Sequence, residues 1–144
     1  MGVAARPLEE HRMQEIPLSI WCALAGAGAA GTLVRAAVGV LAVRWLGTSV
    51  PWGTWTVNVL GAFAIGAVCE LERRYGWLSP TARYLLATGF LGGFTTFSAM
   101  SWETWLLLER GATGTAIAYA LGTLVCGVAA TAAGVVAARA FIAN

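Results

Sequence analysis

The sequence predicts an all-α membrane protein with four transmembrane helices per chain, the third broken at its centre. Three observations carry that prediction. Of 144 residues, 58% are hydrophobic and only 11% are charged, where a soluble domain carries about 25%, and the mean hydropathy is +0.72. The charged residues fall almost entirely outside four long apolar blocks. Each block supplies the roughly 20 residues that a helix rising about 1.5 Å per residue needs to cross hydrocarbon. The third block, however, holds Gly92, Gly93, Thr95, Thr96 and Ser98 at its middle, and glycine weakens a helix by about 1 kcal/mol per residue.

Residues 1–16 form a polar tail containing Arg6, Glu9, Glu10, His11, Arg12 and Glu15. This mixed-charge segment, followed by an apolar block longer than a signal core, predicts a retained first span rather than a cleaved leader. That span covers 17–43, with Pro17 suited to its first turn. Gly26, Gly28 and Gly31, interleaved with Ala27, Ala29 and Ala30, predict close packing against protein. Arg35 falls inside the span, a turn or two from its end; it either snorkels to the interface or faces a partner or an aqueous vestibule. The second span covers 52–70, with Thr48 or Ser49 as cap and Pro51 in the first turn. Trp45, Trp52 and Trp55 at that end fit an interfacial aromatic belt. A polar loop over 70–79, with Glu72, Arg73 and Arg74, leads to Ser79 as N-cap and Pro80 as the first residue of a third span over 80–108. Glu109, Arg110 and Gly111 form a tight turn, the fourth span covers 113–138, and 140–144 is a short tail. Residues 17–139 therefore make a single transmembrane domain.

Several function classes have little to stand on. Scattered arginines and a net charge of +2 give no basic stripe for nucleic acid. There is no nucleotide-binding motif, no Asp and only one His, so neither hydrolytic nor metal-dependent catalysis is supported, and the chain does not read as an enzyme. Cys22, Cys69 and Cys126 lie far apart within or beside apolar blocks, as small buried hydrophobes would. Arginines number six on the side of the two termini and three on the other (Arg35, Arg44, Arg110). The count leans toward cytoplasmic termini, and the modest bias is what a chain able to insert in both orientations would show. Four spans are thin for a pore, so the small-residue faces suggest a second copy, twofold dimers being the commonest oligomers.

The break near 92–96 is the centre of interest. Hydrocarbon offers no water to freed backbone groups, so broken helix at depth survives only when buried in protein or lining a polar cavity; the competing reading is a seam of small residues between helices. Asn58 is the conspicuous residue of the second span. It either glues helices together or faces a ligand, and it shares a face with Gly61 and Ile65. Tyr119, Thr123 and Gly127 repeat every four residues on the fourth span, where the hydroxyls either line a polar path or bond to backbone four residues earlier. Glu103 lies either in a pathway or at the headgroups beside Trp102 and Trp105. Asn58, Thr95, Thr96, Ser98, Ser101, Glu103, Tyr119 and Thr123 are the polar groups at membrane depth, mostly hydrogen-bond donors, as a desolvated small anion requires. The positive edge of the Phe97 ring could add to them. Carbonyls freed near Gly92 to Thr95 are hard oxygen ligands for a small cation.

G-F-L-G-G-F-T-T-F-S at 89–98, followed by Glu103, resembles the third-helix signature of the small bacterial fluoride channels, the Fluc or CrcB family. P-W-G-T-W-T-V-N-V-L-G-A-F-A-I-G at 51–66 is similar to that family's second-helix segment, and Gly28, Gly31 and Arg35 to its first-helix residues. The resemblance covers all but the tails and most of the fourth span. It implies a passive, fluoride-selective channel of the bacterial inner membrane that exports fluoride, built as an antiparallel, dual-topology homodimer with two pores. By the same likeness Asn58 lines the path, Phe97 presents a ring edge, and Gly92 and Thr95 give backbone oxygens to a structural sodium ion (Na+) at the dimer centre. Thr96 and Ser98 belong to the broken segment, Glu103, Tyr119 and Thr123 to a polar track, and Arg35 to the vestibule. Met100 stands where many members have a second Phe, Ala62 where Ser is common, Thr32 where Ala is common, and Gly127 where a hydroxyl can occur, which would shorten the track. The alternative is a small four-helix, proton-coupled exporter similar to the multidrug resistance type. That class depends on a carboxylate in the first helix, and this one has none.

Overall fold

The computed structural model describes residues 16–76 and 78–143. The tail through Glu15, with His11, and Asn144 lie outside the described residues. The chain runs as α1 (Leu18–Leu46), α2 (Trp52–Tyr75), α3 (Pro80–Tyr84), a π-helical segment (Leu85–Leu91), α4 (Gly92–Phe94), α5 (Phe97–Glu109) and α6 (Thr113–Ala143). Three of these, α1, α2 and α6, are long and apolar enough to cross a membrane. The stretch from α3 to α5 forms the fourth, interrupted element.

Helix ends differ from the sequence reading where charge was taken as a boundary. The first helix reaches Leu46 rather than 43, α2 reaches Tyr75 rather than 70, and α6 reaches Ala143 rather than 138. In each case the apolar core ends near the expected place and the helix continues past it. Hydropathy marks the membrane; backbone hydrogen bonding does not stop there. Gly76, in the left-handed conformation with φ +57°, ends α2 by donating its N–H to the Glu72 carbonyl, a conformation costly for residues with a Cβ. Pro51 is itself the residue before α2, and no side chain caps that helix. At α3, Ser79 accepts from the Ala82 N–H at 3.1 Å with Pro80 at the first position, as its sequence predicts.

Close backbone approaches at glycines hold the helices together. A Cβ on Gly31 would collide with the Phe90 carbonyl, and one on Gly93 with the Gly28 carbonyl, so α1 lies directly against the π segment and α4. A Cβ on Gly66 would meet the Thr131 carbonyl and one on Gly134 the Phe63 carbonyl, which sets α2 against α6. Of the α6 glycines, only Gly134 meets another helix within the chain; Gly114, Gly122 and Gly127 meet nothing within 4 Å. Val57, Leu91 and Phe94 form one small core, and Leu107, Ala116 and Tyr119 another between α5 and α6. The cysteines depart from the reading as buried hydrophobes: Cys22 and Cys69 are exposed.

Candidate functional site at the helix break

Gly92 and Gly93 do not unwind the chain; they are helical in α4, and the break falls at Thr95 and Thr96, both extended. Gly93 serves the approach to α1 instead, its missing Cβ leaving room for the Gly28 carbonyl. The 13 residues of α5 span about 20 Å, which places the break near the middle of a bilayer about 30 Å thick.

Asn58 repairs the break. Its Oδ1 accepts the Thr96 N–H at 2.7 Å, and its Nδ2 donates to the Thr96 carbonyl at 3.0 Å. One amide thus satisfies both backbone groups of one residue, which also fixes which amide atom is oxygen. A second N–H on Nδ2 remains for another acceptor. The two sequence readings of Asn58, glue and ligand-facing group, are therefore compatible: it bonds α2 to the break and lines grooves on both sides of it.

The same bonds release two carbonyls. In an unbroken helix the Thr96 N–H would bond Gly92 and the Ala99 N–H would bond Thr95. Here Thr96 N–H goes to Asn58, and Ala99 N–H goes to the Thr96 hydroxyl at 3.2 Å, an N-cap for α5. Among the described residues no turn, cap or side-chain donor reaches the Gly92 or Thr95 carbonyl.

A groove of about 350 Å³ lies between the break, α5 and α6, lined by Asn58, Thr95, Thr96, Phe97, Met100, Thr123, Gly127 and Thr131 with Leu124 and Val128. Phe97, 77% exposed, stands at its edge with Leu124 and Val128, also exposed. A second groove, of about 300 Å³, runs along Asn58, Gly61, Ile65, Leu91, Gly92 and Thr95. Gly61 makes room there for the Thr95 methyl.

Five of the residues singled out from sequence (Asn58, Thr96, Phe97, Met100, Thr123) therefore meet in one groove, Thr95 borders both, and Gly92 borders the second. Others are placed differently. Ser98 is exposed beside Thr96, at 3.3 Å between hydroxyl oxygens, outside the groove lining. The Thr123 hydroxyl donates to the Tyr119 carbonyl four residues earlier at 2.7 Å while lining the groove, whereas the Tyr119 hydroxyl bonds Glu103 rather than backbone. The Glu103 carboxylate accepts from the Thr54 hydroxyl and the Tyr119 hydroxyl, each at 2.7 Å. It borders a separate cavity of about 260 Å³ that reaches Thr48 and Arg110 at the α1–α2 end. Arg35 lies eleven residues before the end of α1, further from the helix end than the sequence reading put it, because α1 continues past its apolar core. Its guanidinium meets the Thr32 hydroxyl at 3.5 Å, and Thr32 in turn reaches the Gly93 carbonyl at 3.4 Å.

Two residues were missed. Thr54 precedes Asn58 by four and so shares its face, and Thr131 continues the spacing of Tyr119, Thr123 and Gly127 by one more step. Thr131 donates to the Ala62 and Gly127 carbonyls at 3.1 Å. The stripe therefore resumes beyond Gly127 rather than ending there.

Fold and site together define a small multi-pass membrane protein whose uncharged polar side chains converge on an interrupted helix. Residues 22–135 match the family model described as CrcB-like protein, Camphor Resistance (CrcB), and the chain belongs to that family. It is 50% identical over 118 residues to a protein of Phenylobacterium zucineum, covering 81% of this chain and 93% of the relative. It is 45% identical over 116 residues to one of Agrobacterium fabrum, with the same coverage, and 49% identical over 100 residues to one of Thermus thermophilus, covering 69% and 79%. Each relative is named fluoride-specific ion channel FluC.

Proposed function

We propose that this chain is a passive, fluoride-selective channel of the bacterial inner membrane, acting as an antiparallel, dual-topology homodimer with two pores through which fluoride leaves the cytoplasm. Family membership and the names of its relatives support the substrate. The observation that carries the mechanism is the spare Asn58 N–H in a groove at mid-depth. A small anion gives up strongly held water on entering hydrocarbon, so neutral donors placed to replace that water lower its barrier without binding it as tightly as a fixed cation would. Thr123 and Thr131 donate to carbonyls at rest, and hydroxyls rotate, so each can turn its hydrogen toward a passing ion and return it afterwards. The Phe97 ring edge adds a positive rim. Glu103 takes the Tyr119 and Thr54 hydrogens, which leaves those hydroxyls as acceptors and marks that end as a separate compartment.

A second copy supplies the missing wall: the groove is bounded outward by exposed Phe97, Leu124 and Val128, and four helices enclose no pore by themselves. The freed carbonyls of Gly92 and Thr95 fit a structural sodium ion, which would contribute a positive charge tying two breaks together at a twofold axis. A thermal midpoint indifferent to replacing sodium by potassium would remove that ion from the account. The proton-coupled exporter has no carboxylate in α1 to work with, and the chain's relatives bear the name of channels.

Fluoride efflux from liposomes, read with a fluoride electrode, tests the reading; chloride flux of similar size would defeat it. Asn58→Asp keeps the acceptor for Thr96 and replaces the donor with a negative charge. At about 4 kcal/mol for like charges 4 Å apart near a protein surface, flux should fall by about two orders of magnitude or more. Phe97→Ile should lower it several-fold with the folded state intact, and unchanged flux in both would take the groove out of the path.

A further inference from the structure

Away from the break, at the rim where α2 and α6 end, Glu70 gathers three arginines. Its side chain is 5% exposed. Oε1 accepts from Arg73 Nη2 at 2.8 Å, Arg74 Nε at 2.8 Å and Arg139 Nε at 2.9 Å, and Oε2 accepts from Arg73 Nε at 3.0 Å. One carboxylate serves three guanidiniums. Glu72, the nearest other acid on α2, turns to the loop and accepts the Leu78 N–H at 3.1 Å.

Arg74 and Arg139 spend only Nε on Glu70. A guanidinium carries five N–H donors, so the terminal nitrogens of both find no partner among the described residues. Their side chains are 42% and 51% exposed, yet fixed at the base. Cations also suit helix C-termini through the backbone dipole, but that effect needs neither a shared buried carboxylate nor guanidiniums from two helices meeting on it, Arg139 lying 69 residues from Glu70. At 24 and 31 residues, α2 and α6 are about 36 and 46 Å long. Both outlast the hydrocarbon, and exposed Tyr75 and Phe141 flank this end, so the guanidiniums stand at headgroup depth. The anion abundant at that depth is a lipid phosphate, whose oxygens match the guanidinium fork.

We infer that Arg74 and Arg139, positioned by Glu70, bind the phosphodiester of an anionic membrane lipid at the α2–α6 rim. The site is independent of the conduction groove and stands or falls without it. Dissolved phosphate esters offer the same oxygens, so the experiment separates the two sources. The full-length protein, in its oligomeric state in neutral detergent, is titrated with dioleoyl phosphatidylglycerol, dioleoyl phosphatidylcholine or glycerol phosphate, and bound adducts are counted by native mass spectrometry. Phosphatidylglycerol should bind over phosphatidylcholine, and about thirtyfold more weakly in Arg74→Gln/Arg139→Gln. Each single variant should weaken it about fivefold, which keeps the test open if the double variant does not fold. Arg44→Gln, at the opposite rim, should change nothing. Equal phosphatidylglycerol binding by the wild type and the Arg74 and Arg139 variants would overturn the site, and equally tight binding of glycerol phosphate would overturn its assignment to lipid.

Discussion

The break at Thr95–Thr96 and the cluster at Glu70 solve opposite problems with opposite chemistry. At the break, near the middle of the bilayer, the bonds that join elements come from neutral amides and hydroxyls, Asn58 closing both backbone groups of Thr96, while the Arg35 guanidinium bonds within α1 to Thr32. At the rim, one carboxylate holds two guanidiniums of its own helix and a third, Arg139, that ties α6 to α2. Charge is expensive in hydrocarbon and inexpensive near water, so depth selects the kind of polar group. The break is consequently a place where dipoles can meet an ion without trapping it, whereas the rim holds full charges that can retain one.

The contrast is open to attack, first at the break. Asn58→Leu strips both partners from Thr96, and a buried unpaired backbone group costs about 1–3 kcal/mol. The variant should lose several kcal/mol of stability, seen as a large drop in the thermal midpoint in detergent; a midpoint close to wild type would mean that the break finds other partners. The rim should respond differently to salt. Glu70→Gln leaves three guanidiniums crowded around a neutral group, so its midpoint should fall most in dilute buffer and recover as salt screens the repulsion. A loss independent of salt would show that packing, not charge, dominates there. The smallest effect belongs to Thr131→Val, which removes one hydroxyl bond to the Ala62 carbonyl. Such bonds in membrane helices are worth about 0.6 kcal/mol, and a loss of several kcal/mol would give Thr131 a structural weight that its position in the groove does not suggest.

Much of this was legible in one dimension because hydrocarbon is an unforgiving solvent. Four apolar blocks, an amide in the second and a glycine–threonine run in the third stand out wherever polar groups are scarce, and a period of three to four residues groups Asn58 with Gly61 and Tyr119 with Thr123. The third block also illustrates the limit. Its glycines look like the cause of the break, yet Gly89 and Gly93 are the surface on which α1 lies, while the unwinding falls on the two threonines.

What the sequence by itself determined is which residues are out of place in a membrane and which face of a helix each occupies, since both follow from composition and from helical period. Only the tertiary structure decided the partners: Asn58 with Thr96 across 38 residues, Thr54 and Tyr119 on Glu103, and Arg139 on Glu70 across 69. A helix period fixes the direction of a side chain about its own axis. Which neighbour stands in that direction depends on how closely the helices approach, and here that was set by glycines whose smallness the sequence shows but whose partner backbones it does not name.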